Sequence, residues 1–172
     1  MPENLYLIDS NILIEAAKRY YAFPIAPSFW NALLHLAKKE KVASIDKVKE
    51  EIERQKDDLS AWIKQLPDNF FRSTNEEDVT NEFKKLVFGV QNNGNFKPEA
   101  ISEFMEAADG WLISYAKCKH CILVTEERPN PYSRRKVKIP DVCKEFGVSY
   151  MNTFEMLKDA GVKLTYYTVK SI

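Results

Sequence analysis

The chain has 172 residues, 45% of them apolar and 29% charged, with a formal net charge of zero. That composition suits a single folded domain over residues 1–172 and excludes a disordered or collagen-like chain. A net charge of zero excludes gripping nucleic acid by overall charge, although a local basic strip can still do so.

In chain order, residues 5–8 (LYLI) read as a short strand buried on both faces, ended by Asp9. Residues 11–19 look helical, and FPIAP at 23–27 breaks the chain. Ser28 is expected to cap a helix whose Phe29, Leu33, Leu36 and Ala37 recur at helical spacing. KVASI at 41–45 predicts a second strand, followed by a helix over DKVKEEIERQ at 46–55. Trp62 and Ile63 sit in a short helix that Pro67 stops, and residues 76–90 place Val79, Phe83, Leu86, Val87 and Val90 on one stripe. QNNGNFKP at 91–98 is a loop, and two helices or one bent helix follow to about Lys117.

CILVT at 121–125 predicts a third strand, then a polar, basic loop to Pro140, a short helix, a strand at 148–151 and a helix at 154–159. VKLTYYTV at 162–169 alternates and reads as an edge strand. Short apolar strands alternating with helices imply an α/β fold, a three-layer sandwich with a mostly parallel central sheet. In such sheets ligands gather beyond the carboxyl ends of the strands.

No apolar run approaches bilayer length, and the first residues lack the basic-then-apolar pattern of an export signal. A cytoplasmic protein with no membrane association is therefore expected, its three cysteines reduced. Cys118 and Cys121 form a C-x-x-C, with His120 and Cys143 as the further ligands that a zinc site would need. A structural zinc site usually shows a second, equally clear ligand pair, so small buried residues beside a strand are the favoured account.

The acids are the informative residues. Asp9 ends the first strand, as a helix cap for the segment from Ser10 and Asn11 or as a site residue. The strand at 121–125 also runs into acids, Glu126 and Glu127. On the helix at 46–55, Ile45, Val48 and Ile52 mark the apolar face; Glu51 falls at its border, roughly 90° from its centre, and Glu50 points away. Asp109 sits against the packed face set by Met105, Leu112 and Ile113, either as a cap for a helix starting at Gly110, or paired with a buried Lys or Arg, or at a metal. Gathering Asp9, Glu51, Asp109 and Glu127 at one spot is unfavourable unless a cation neutralises them, and hard oxygen ligands suit Mg2+ or Mn2+. Metal-assisted phosphodiester hydrolysis fits such a set and needs no protein nucleophile. With only two histidines, no Ser/His/Asp or Cys/His pairing stands out.

These residues resemble the PIN-domain nucleases. YLIDSN resembles the first PIN strand with its leading acid, Asp9, followed by Ser10 and Asn11; SIDKVKEEI is similar to the segment presenting the second acid, Glu51; AADGWLISYA to the third-acid motif, Asp109; and ILVTEE to the strand ending in Thr125 with a fourth acid two positions on, Glu127. PSFW, LSAW and KIPDVC resemble one subfamily of PIN-like proteins. The resemblance implies a metal-dependent endoribonuclease, often the toxin of a toxin–antitoxin pair, with RNA as substrate and an antitoxin protein as partner. PIN enzymes usually carry Asp at the fourth position, so Glu127 is a departure, and its alternative is a PIN fold that binds nucleic acid or protein without catalysis. The insert at 66–98 is larger than in compact PIN toxins. A haloacid-dehalogenase-type phosphatase would need a second Asp where this chain has Asn11.

Arg128, Arg134, Arg135, Lys136 and Lys138 gather in the loop after Glu127. They read as a solvated loop or as a phosphate clamp giving sequence-independent, salt-sensitive affinity, with Tyr132 placed to stack on an unpaired base. Asp141 is a lesser candidate acid and more often a helix-start residue. A homodimer would create a shared groove, but no stripe in the sequence marks such a contact.

Overall fold

The computed structural model describes residues 4–164. Strand β1, Tyr6–Ile8, is buried at all three positions and β2, Val42–Ile45, at all four. Successive side chains of a strand point to opposite faces, so burial without alternation means that both faces of the sheet are covered. Strands β3 (Phe71–Arg72), β4 (Ile122–Val124) and β5 (Tyr150–Met151) complete a five-stranded sheet in the order β3-β2-β1-β4-β5, with every pairing parallel. This is the expected α/β sandwich, parallel throughout the described residues.

Helix α1 (Ser10–Glu15) follows β1 directly and widens over Ala16–Tyr20, where the Tyr21 N–H reaches five residues back to the Ala16 carbonyl at 2.8 Å. α2 (Pro27–Lys38) leads into β2, and α3 (Asp46–Glu53) and α4 (Asp58–Trp62) follow it, the last running on as a tighter turn over Ile63–Gln65. α5 (Glu77–Asn92) fills the segment before the 93–97 loop. α6 (Pro98–Glu106) and α7 (Asp109–Lys119) are two helices, not one. α8 (Ile139–Phe146) and α9 (Thr153–Asp159) flank β5.

Two expectations need correction. Ser28 does not cap α2; the helix begins at Pro27 after Ala26, because proline's fixed φ suits the first helical turn and its missing N–H is unpaired there anyway. Met105 is no helical neighbour of Asp109, since Ala107 and Ala108 separate α6 from α7. Strand β3 has no sequence sign, because two residues carry no pattern; it is held by the Ser44 N–H on the Phe70 carbonyl at 2.9 Å and by Asp46, which accepts from the Thr74 N–H and hydroxyl at 3.0 and 2.8 Å. The segment at 162–169, expected as an edge strand, lies from residue 165 on outside the described residues.

The buried side chains form one cluster through the sheet and its helices. At one end, Tyr21 stacks on Phe29 and Phe23 on Trp30, each at 4.2 Å between centroids, and Trp30 meets Trp62 edge-on at 4.8 Å. FPIAPSFW and LSAW thus meet as an aromatic cluster that braces α2 against α4. Among the described residues no helix is long and apolar enough to cross a membrane.

Candidate functional site

The chain runs outward from β1 to β2 and β3, then crosses back to place β4 on β1's other side. At that reversal the connections leave in opposite directions and open a crevice beyond the carboxyl ends of β1 and β4. Ile8 pairs with Val124, so the residues that follow, Asp9 and Thr125, arrive side by side. The Asp9 N–H continues the ladder to the Val124 carbonyl at 3.1 Å, and the Thr125 hydroxyl donates to Asp9 Oδ2 at 3.3 Å. Asp9 is fully buried, and its other oxygen accepts from the Asn11 N–H at 3.4 Å and the Ser10 hydroxyl at 3.3 Å. Of the two readings of Asp9, the cap is thus the one seen directly, at the N-terminus of α1.

The other acids converge from three elements. Glu51, on the inward border of α3, accepts from the Ala108 N–H at 3.0 Å and so lies at the start of α7, next to Asp109. Glu50 is exposed, with Lys47 at 3.4 Å. Asp109 is the first residue of α7 and shares with Ser10, Asn11, Glu51, Lys136 and Val137 the wall of a cavity of about 300 Å³. Glu127 lies within the same electrostatic neighbourhood. Burial, with the Glu127 and Glu51 charges adding and the Asn11 N–H opposing, pushes Asp9 up to about 6. Burial and then the charges of Asp9, Glu127 and Glu51 push Asp109 up to about 7. The four carboxylates therefore lie near enough to act on one another.

Glu127 differs. Burial alone would raise its pKa, but contact with Lys136 and the Ile139 N–H outweighs it and holds the carboxyl below its ordinary range. Lys136 Nζ stands 2.7 Å and Lys138 Nζ 3.6 Å from its Oε1, while Oε2 accepts from the Ile139 N–H at 2.9 Å. Glu126 turns away to accept from the Thr153 N–H at 2.9 Å, on the opposite flank of α1, where a groove is lined by Tyr20, Tyr21, Phe29, Arg128 and Phe154.

The basic strip is thus divided. Lys136 and Lys138 are turned onto Glu127 and are not a free phosphate clamp. Arg128, Arg134, Arg135 and Tyr132 are exposed. Asp141 lies in the first turn of α8 and accepts from the Asn130 N–H at 2.8 Å, a loop tie outside the acid cavity.

The donors are all hard oxygen, the type that Mg2+ and Mn2+ take. As the side chains stand, however, no group of three or more His, Cys, Asp or Glu among the described residues is arranged to hold an ion. Glu51 is turned to Ala108 and Glu127 to its lysines. The residues fit a divalent ion in kind and not in placement. The cysteines are free, and burial raises the pKa of Cys118, Cys121 and Cys143, which keeps each a thiol.

A family model described as "Domain of unknown function (DUF4411)" matches residues 6–164. The chain belongs to the DUF4411 family. Among solved structures, the DUF4411 fold is similar to VapBC2 from Rickettsia felis, crystallised with a DNA fragment from their promoter, with a TM-score of 0.54 at 17% identity over 86% of this chain and 98% of that one. That likeness is one of fold, and the fold is PIN-like. No curated protein matches the chain.

Two features of the DUF4411 cavity escape a reading by motif. Glu103 on α6 lines it and faces Lys136; its one sequence sign is its place beside the buried pair Ala100 and Phe104. The inward turn of Lys136 has no sequence sign, because a loop fold sets it: the Ser133 hydroxyl donates to the Lys136 carbonyl at 2.7 Å and accepts from its N–H at 3.3 Å.

Proposed function

We propose that this DUF4411 chain is a divalent-metal-dependent endoribonuclease, with Asp9, Glu51 and Asp109 as its essential acids and Glu127 as the fourth. One observation carries the reading: two adjacent parallel strands, the end of α3 and the start of α7 deliver carboxylates to the crevice at the sheet's reversal, where burial, with the neighbouring carboxylates adding to it, raises Asp9 and Asp109. When bound, Mg2+ or Mn2+ would neutralise that charge and acidify a water for attack on a phosphodiester. Ser10, Asn11 and Thr125 orient Asp9 by the hydrogen bonds already described. RNA is the proposed substrate, and Arg128, Arg134 and Arg135 are the exposed groups proposed to meet its phosphates.

A toxin role with an antitoxin partner is supported by the PIN-like fold and by its likeness to VapBC2. A homodimer belongs to the same proposal.

Asp9→Asn and Asp109→Asn should each reduce Mn2+-dependent cleavage of a single-stranded RNA to background in a gel assay, with the fold retained by circular dichroism. Undiminished cleavage by Asp109→Asn sinks the assignment. A second reading, a PIN fold that binds without cutting, is favoured by the double lysine contact on Glu127. RNA binding with no cleavage in Mg2+ or Mn2+ would select it.

A further inference from the structure

Removing like charges from water and placing them together is unfavourable, and in a protein the nearest flexible cation relieves it. In this cavity that cation is Lys136. Its loop is pinned on both sides. The Lys97 N–H donates to the Arg134 carbonyl at 2.9 Å, tying the loop to the start of α6. Ser133 clips the Lys136 backbone, and the next residue, Val137, is 2% exposed and cannot swing outward without losing its packing. Held in this way, the Lys136 side chain reaches inward to Glu127 Oε1 at 2.7 Å and lies in the fields of Asp109 and Glu103. Glu51 is occupied by the Ala108 N–H and Asp9 by Ser10, Asn11 and Thr125, so hydrogen bonds hold those two acids in place. The Asp109 carboxyl makes no hydrogen bond or ion pair among the described residues and is left facing the ammonium across the cavity it lines.

We propose that Lys136 is the resident counter-ion of the acid cavity, holding against Glu127 and Asp109 the place of a divalent ion, so that seating of Lys136 and loading of the ion exclude one another. The placement of Glu127 noted above then has a cause, withdrawal from the ligand set by a lysine of the chain itself, while Glu51 is held aside by the Ala108 N–H. The exclusion rests on the nuclease reading; the counter-ion role does not. Lys136 is a positioning residue here. A long, flexible side chain gives such a seat reversibility, since lysine carries its charge on a four-carbon stem that can turn between the carboxylates and water.

The test uses the full chain in two parts. In EDTA at low salt, Lys136→Met should melt several degrees below the parent, Lys136→Arg should recover most of the loss, and adding Asp109→Asn to Lys136→Met should recover part of it, because the removed acid no longer needs neutralising. A Lys136→Met protein that melts with the parent overturns the counter-ion role. In a Mn2+ titration by calorimetry, Lys136→Met should bind about tenfold tighter than the parent, the size expected for loss of one competing charge contact. Equal or weaker Mn2+ binding by Lys136→Met overturns the exclusion. If neither protein binds Mn2+, the nuclease reading falls, while the melts in EDTA still decide the role of Lys136.

Discussion

Asp109 shows how one side chain couples the fold to its chemistry. The first residue of a helix is a good place for an acid, because the unpaired N–H groups and the helix dipole favour negative charge there. Burial and three neighbouring carboxylates overcome that preference and lift its pKa to about 7, with Asp9 at about 6. Both values lie above the 3.8 of a free aspartate, so without metal the folded state binds more protons than the unfolded state between about pH 4 and about pH 7. The stability these groups provide is complete below pH 4 and lost as pH rises through 6 and 7. Glu127 works the other way, its depressed pKa making its contribution fall only in stronger acid. Metal-free protein should therefore be most stable in mild acid and should lose melting temperature steadily toward pH 8. Asp109→Asn should flatten that slope and melt roughly 5 °C higher at neutral pH. Melts in EDTA across this range check both, and an unchanged slope in Asp109→Asn would show that its carboxyl is not under pressure.

At the level of elements, α7 depends on the residue after Asp109. A Cβ on Gly110 would stand 2.9 Å from Phe83 Cε2 and 3.3 Å from Phe104 Cε1. Neither ring can give way easily: Phe83 stacks on Trp111 at 3.8 Å and 6°, and Phe104 is 3% exposed. Gly110→Ala gains about 1 kcal/mol of helix propensity in isolation, yet overpacking here costs about 1–3 kcal/mol. The net effect should be destabilising, with a lower melting temperature and weaker Mn2+ binding because Asp109 moves with the helix. An increase in melting temperature would mean that the rings yield. The elements themselves were largely legible. Apolar runs that stop at an acid mark β1 and β4, and the stripe Ile45, Val48 and Ile52 separates Glu51 from Glu50 in the sequence alone. What was illegible has a common cause in long-range contact. β3 exists only by pairing with β2, the start of α2 turns on a proline's backbone preference, and the inward reach of Lys136 depends on a serine three residues away and an anchor on α6. Local patterns carry no record of such ties.

Across the whole molecule, a net charge of zero conceals a division. Glu99, Glu103 and Glu106 line a shallow groove with Glu51 along α6, a surface that repels phosphate. Exposed arginines lie on the loop after β4, so on the proposed reading an RNA strand approaches the acid cavity from that side. Those arginines are not equivalent. Arg134 also holds structure, its Nε donating to the Asn95 carbonyl at 3.3 Å and its own carbonyl accepting from Lys97, and Arg128 lines the groove on the far flank of α1. Arg135 is exposed and makes no hydrogen bond or ion pair among the described residues. It is the cleaner probe. Each phosphate contact on a single strand contributes about 0.7 to the slope of log affinity against log salt. Arg135→Ala should therefore weaken RNA binding to a similar degree whatever the sequence and lower that slope by about 0.7, with an unchanged melting temperature. Arg134→Ala should do the same and also lower the melting temperature, because the 93–97 loop loses the Arg134 Nε contact on its Asn95 carbonyl. Binding of a labelled single strand, measured by anisotropy over a salt series, separates the cases. A slope that is the same in the parent, Arg135→Ala and Arg134→Ala would make this loop a solvated surface and move the RNA path to another face.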